Sequence, residues 1–98
     1  MAVTVLIKRV HAPGSSKQLF SLYEQMKTEA LRWPGYLGSE VLWRVDVDNQ
    51  MLVISHWAHV DDWSTWLVSP ERRRIQEQID LITSDDTKFE IYAEQERG

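Results

Sequence analysis

Three of the chain's five tryptophans fall within ten residues, in the stretch His56-Trp57-Ala58-His59-Val60-Asp61-Asp62-Trp63-Ser64-Thr65-Trp66. An indole offers a flat, polarisable face and a single N–H donor. Gathered this closely, three of them either fill a large core or wall a pocket for a planar molecule. Trp57 closes an apolar run and reads as core. Trp63 and Trp66 are one helical turn apart, so both can line the same wall and contact a flat substrate. His56 and His59 are the candidate general bases, because an imidazole near neutrality can accept a phenolic proton. His56 alternates with Leu52 and Ile54, so it serves as a base if that strand face lines the pocket, and as an interface residue if it does not. The spacing of the two histidines is not that of a helical ligand pair and no cysteine supplements them, so no metal is expected. His11 ends the first strand and is expected to be solvated.

Arg72-Arg73-Arg74 is a basic run on an acidic chain. Its ordinary reading is a solvated helix face paired with Glu71, Glu77 and Asp80. Three consecutive residues sweep nearly a full helical turn, so at most one or two can face a pocket. The functional reading gives Arg73, with Lys8 or Arg44, the task of steadying an anionic substrate group.

These residues need elements to hold them. Val3 to Val10 is apolar and β-branched, the pattern of a strand buried on both faces. Ala12-Pro13-Gly14-Ser15-Ser16 is a turn, and either serine can cap the amphipathic helix that runs from Lys17 to Arg32 on Leu19, Leu22, Tyr23 and Met26. Trp33-Pro34-Gly35 stops that helix. Leu37 to Val45 and Met51 to Trp57 form a hairpin about the turn at Asp46–Gln50. Helix resumes near Val60, breaks at Ser69-Pro70, and continues from Glu71 to Ile82 on Ile75, Ile79 and Ile82. Ser84-Asp85-Asp86 is a loop, and Thr87 to Glu94 alternates as a last strand. The order β-α-β-β-α-β predicts an α+β, ferredoxin-like antiparallel sheet with helices on one face. The uncovered face is expected to meet the sheet of a second copy, giving a homodimer.

With 98 residues, 43% of them hydrophobic and 27% charged, the sequence fits a single globular domain over 1–98. Its net charge of −4 argues against nucleic acid and anionic membrane surfaces as partners. No secretory leader or membrane span is legible, so a cytoplasmic location is the expectation. Nucleotide-binding glycine loops and a Ser-His-Asp order are missing from the sequence.

The first strand followed by Pro13-Gly14, the run Pro34-Gly35-Tyr36-Leu37-Gly38 before the second, the third strand's His56-Trp57 ending, and the spacing Trp57, Trp63, Trp66, Ser69 together resemble the antibiotic-biosynthesis monooxygenase (ABM) family of dimeric α+β barrel proteins. The resemblance covers nearly the whole chain and implies several chemistries. Some members are cofactor-free oxygenases that convert phenols or quinols to quinones, and others degrade heme. Trp66 falls at the tryptophan that heme-degrading members place against the ring. Their axial histidine, counted from Ser69, falls at Gln76, whose amide is a poor iron ligand, and their strand-one asparagine falls at Lys8. The expectation is therefore a cofactor-independent monooxygenase acting on a small aromatic molecule, with heme disfavoured and with Trp66, Trp63, Arg73, Lys8 and Gln76 contacting the substrate. A non-catalytic dimeric module that binds a small molecule or a protein is the alternative.

Overall fold

A computed structural model describes residues 1–95. The elements are β1 (Val3–Val10), α1 (Ser16–Ala30), β2 (Tyr36–Trp43), β3 (Gln50–Trp57), α2 (Val60–Leu67), α3 (Pro70–Asp80) and β4 (Lys88–Ala93). The strands pair antiparallel in the order β2-β3-β1-β4, with the helices on one face, which is the ferredoxin-like arrangement. No helix among the described residues is long and apolar enough to cross a membrane.

Strand periodicity sorts the side chains. Val3, Val5, Ile7 and Arg9 of β1 are buried on the helix side, as are their register partners Trp57, Ser55, Val53 and Met51 of β3. Leu19, Leu22 and Met26 of α1, Trp63 and Trp66 of α2, and Ile75 and Ile79 of α3 close over that row to make one core. The expectation that β1 is buried on both faces is corrected: Leu6 and Val10 are only half-buried and Lys8 is exposed, because helices cover a single face of the sheet. The other face carries Leu6, Leu42, Leu52, Ile54 and Tyr92 among polar residues.

Two local features shape the edge of the core. A bulge in β2 between Tyr36 and Gly38 lets Tyr36 and Ser39 oppose Trp57 and Ser55 respectively, so residues three apart share the helix-facing side. At the other, Gly35 takes φ +82° and its carbonyl accepts a hydrogen bond from the Ala58 N–H at 2.7 Å. A Cβ at this position would collide with the Asp62 side chain in the first turn of α2. Both the left-handed backbone and the close approach demand glycine. Gly35→Ala should therefore lower stability by about 2 kcal/mol or more, measured by denaturant unfolding, with strain and crowding acting together.

Candidate functional site

The rings gather where β3 passes into α2. Trp57 is 0% exposed and is ringed by Tyr36 at 5.2 Å, Trp63 at 6.0 Å and Trp66 at 6.3 Å between centroids, the last of these stacked. Trp33 meets the edge of Trp66 at 5.5 Å. The Trp57 indole N–H donates to Ser55 Oγ at 2.7 Å, whereas the Trp63 Nε1 is buried without a partner. Beside these rings lies a cavity of about 30 Å³, room for a water molecule or two. Trp57, Trp63 and Trp66 line it together with Met26 and Val53. Its polar lining includes the hydroxyls of Tyr23 and Tyr36, both hydrogen-bonded to Ser39 Oγ, at 2.9 and 2.6 Å. Burial, the dominant influence, raises the Tyr36 phenol above its ordinary pKa, so it stays a neutral hydroxyl.

Arg9 and Arg72 also line this cavity and are 2% and 5% exposed. Both guanidiniums donate an Nη2–H to one atom, Gln76 Oε1, each at 3.1 Å. The Gln76 amide nitrogen donates in turn to Asp80 Oδ1 at 2.8 Å and to Thr87 Oγ1 at 3.1 Å. Arg72 is aimed by its own helix start: Ser69 Oγ, the N-cap of α3, accepts the Arg72 backbone N–H at 3.2 Å. Its guanidinium also donates to the Leu67 carbonyl at 3.3 Å and sits 5.3 Å from the Phe89 ring centre. No ion pair joins either arginine to a carboxylate among the described residues, and the Nε of each is buried without a partner. Desolvation, reinforced by the charge of Arg72, lowers Arg9 to about 9. Arg72 falls to about 10, again chiefly through desolvation.

The seven residues singled out from the sequence do not all meet here. Trp63 and Trp66 line the cavity, and Gln76, outside its lining, bonds to both of the lining arginines. Lys8 and His56 are instead on the opposite side of the sheet, since even-numbered β1 and β3 positions point away from the helices. Lys8 pairs with Glu90 at 3.1 Å there, and His56 Nδ1 meets Thr4 Oγ1 at 3.2 Å. That face has a cleft of about 460 Å³ whose lining includes Lys8, Leu42, Leu52 and Lys88. His59 is exposed at the N-cap of α2, against the amino terminus, and Arg73 is exposed on α3. His11, expected in solvent, is buried because the β1 alternation continues through it and its ring packs edge-on to Trp43 at 5.9 Å. Arg9 and Arg72 were missed as site residues, although two periodicities mark them. Arg9 follows Val5 and Ile7 by twos, and Arg72 precedes Ile75 and Ile79 by three and seven. Among the described residues no cluster of three or more His, Asp or Glu could hold a metal.

Residues 2–78 match the family model for antibiotic biosynthesis monooxygenases. Compared with curated proteins, the chain has no match. Among solved structures it is similar to a conserved protein from Methanosarcina mazei Go1, at 16% identity and TM-score 0.87, covering 97% of this chain and 94% of that one. It is similar also to SnoaB, a cofactor-independent oxygenase from Streptomyces nogalater, at 17% identity and TM-score 0.85, covering 98% and 95%. A third is Rv0793 from Mycobacterium tuberculosis, at 13% identity and TM-score 0.85, covering 99% and 98%. At these identities the likeness to solved structures is one of fold.

A pair of buried cations with no direct ion pair among the described residues, offset only in part by the nearby charge of Asp80, costs the fold stability. Both arginines have a folded pKa below that of the unfolded chain, so that cost is present in full at neutral pH. It lifts only as the pH rises through about 9 to 10 and the folded state gives up protons that the unfolded chain keeps. Arg9→Met, of similar length and without charge, should therefore stabilise the protein, by about 1–2 kcal/mol in denaturant unfolding at pH 7. A loss of that size would mean that the Gln76 contact outweighs the buried charge.

Proposed function

The chain belongs to the antibiotic biosynthesis monooxygenase family, and on that premise we propose that it is a small oxygenase acting on a phenol- or quinol-like aromatic molecule without a bound organic cofactor. The observation that carries this reading is the cavity beside Trp57, Trp63 and Trp66, with rings on its walls and hydroxyls among its lining residues. Indole faces suit a planar ring. Oxidation of a phenol to a quinone releases four electrons, and dioxygen takes all four in becoming the new quinone oxygen and one water. The substrate is thus its own reductant. What the protein supplies is a dry site and fixed dipoles that favour charge as it moves from ring to oxygen.

A cavity of about 30 Å³ must widen to take a ring. Edge strand β2, paired on one side only, contributes Tyr36 and Ser39 to the wall and is the element best able to shift. Heme is disfavoured in this reading. The Gln76 amide, at the position where the resemblance puts the axial histidine of heme-degrading members, is engaged, its oxygen by two arginines and its nitrogen by Asp80 and Thr87.

The same reading includes a homodimer. Leu6 and Ile54 are register partners on the open face, flanked by Leu42, Leu52 and Tyr92, and a second sheet would remove this apolar surface from water. Ile54→Glu should convert the dimer to a monomer in sedimentation at micromolar concentration, with the far-ultraviolet circular dichroism unchanged. A wild-type monomer would end the dimer proposal.

Oxygen consumption tests the activity. With a panel of phenols and naphthols, the protein should consume one dioxygen per quinone formed, without added metal, flavin or reductant. Trp66→Phe, which keeps an aromatic face but shortens the ring, should lower kcat/KM at least fivefold. Saturable quenching of the indoles without oxygen uptake would instead identify a non-catalytic binding module.

A further inference from the structure

We infer that Arg9 and Arg72, bridged by Gln76, form a receptor for the anionic group of an aromatic ligand, so that the cavity takes carboxylates or phenolates in preference to their neutral counterparts. The inference rests on reading the cavity as the substrate site, and it adds the charge that the substrate carries.

Three observations lead to it. First, two buried guanidiniums converge on a single neutral oxygen, Gln76 Oε1, at 3.1 Å each. Placing like charges together in the interior is costly, and a fold seeking only stability would set a carboxylate between them. Asp80 offsets part of this charge from a distance but forms no ion pair with either, its hydrogen bond going to the far end of the Gln76 amide. Second, both arginines keep a buried Nε without a partner while lining a cavity walled by rings. A guanidinium presents donors in a planar fork that matches a carboxylate in two parallel hydrogen bonds. Third, among the described residues the cavity lining contains Arg9, Lys27 and Arg72 and no Asp or Glu, although the whole chain has a net charge of −4. The described lining of this cavity is thus positive where an aromatic ligand would sit.

Benzoate and benzamide, equal in shape and unequal in charge, test this directly by quenching of the indole fluorescence. Wild-type protein should bind benzoate at least tenfold more tightly than benzamide. Gln76→Glu keeps the shape of the amide and supplies the missing counter-ion. It should bring the two affinities within twofold while holding or raising the Tm. If that variant fails to fold, Arg9→Met should weaken benzoate at least fivefold and leave benzamide unchanged. Equal affinities in the wild type, no binding of benzoate, or a preference that survives these substitutions would each overturn the receptor. Selective benzoate binding with no oxygen uptake from any phenol would remove the oxygenase reading and leave the receptor standing.

Discussion

The helix side of the sheet is organised around the burial of one indole. Trp57 ends β3 with no exposed surface, and the rings packed on it come from β2 and α2, with Trp33 behind Trp66. Removing a side chain of this size from water contributes roughly 4–6 kcal/mol before packing is counted. Its single polar atom is satisfied within its own strand by Ser55, so the burial leaves no unmet donor. Because Trp57 is the last residue of its strand, the chain must turn at once into α2 to cover it. That turn requires a glycine at position 35 to let Asp62 approach. The direction of α2, the break at Ser69-Pro70 and the start of α3 follow from covering this ring.

That aromatic mass offsets a polar expense nearby. The row that begins with Val3 ends in Arg9, and the helix that presents Ile75 and Ile79 to the core presents Arg72 on the same stripe. Two desolvated cations meeting at one amide oxygen run against the local rules that the rest of the core obeys. Departures of this kind concentrate where a protein does its work, since stability is given up only where something else depends on the arrangement. The unpartnered Trp63 nitrogen belongs to the same cavity and adds a third buried donor without an acceptor.

Much of this was legible in the sequence, and the failures have physical causes. The alternation of Val3, Val5 and Ile7 fixes which face of β1 is inward, and the same count reaches Arg9 and His11. A charged residue after an apolar run ordinarily marks the end of burial, which masks the inward phase of Arg9. In the triple-arginine run, helix phase selects one member. The Ser69 cap sets where α3 begins, and Ile75 and Ile79 set its inward side, leaving Arg72 buried with Arg73 and Arg74 outside. His56 was correctly tied to Leu52 and Ile54, and the face they share turns away from the helices. The Tyr36–Ser39–Tyr23 hydroxyl chain could not be read in advance. Residues three apart in a strand oppose each other across the sheet unless a bulge intervenes, and nothing in Tyr36-Leu37-Gly38-Ser39 but the glycine hints at one.

The separation of the histidines from the rings bears on how a phenol would lose its proton. Among the described residues no His, Asp or Glu lines the aromatic cavity, so none of them places a side-chain general base of the usual kind there. None is required if the ligand meets a field that already favours its anion. A phenol in water ionises near pH 10, and an opposite charge a few ångströms away lowers such a group by about 1–3 units. On the receptor proposal, two guanidiniums in a low-dielectric setting would act together on the ligand's oxygen. Tyr36, held neutral by burial and bonded to Ser39, offers hydroxyls through which the released proton can move toward the half-buried edge of β2. Ionisation also makes the ring a better electron donor toward dioxygen. On this view the buried cations serve binding and reactivity at once, and the missing base is a consequence of the charge that replaced it.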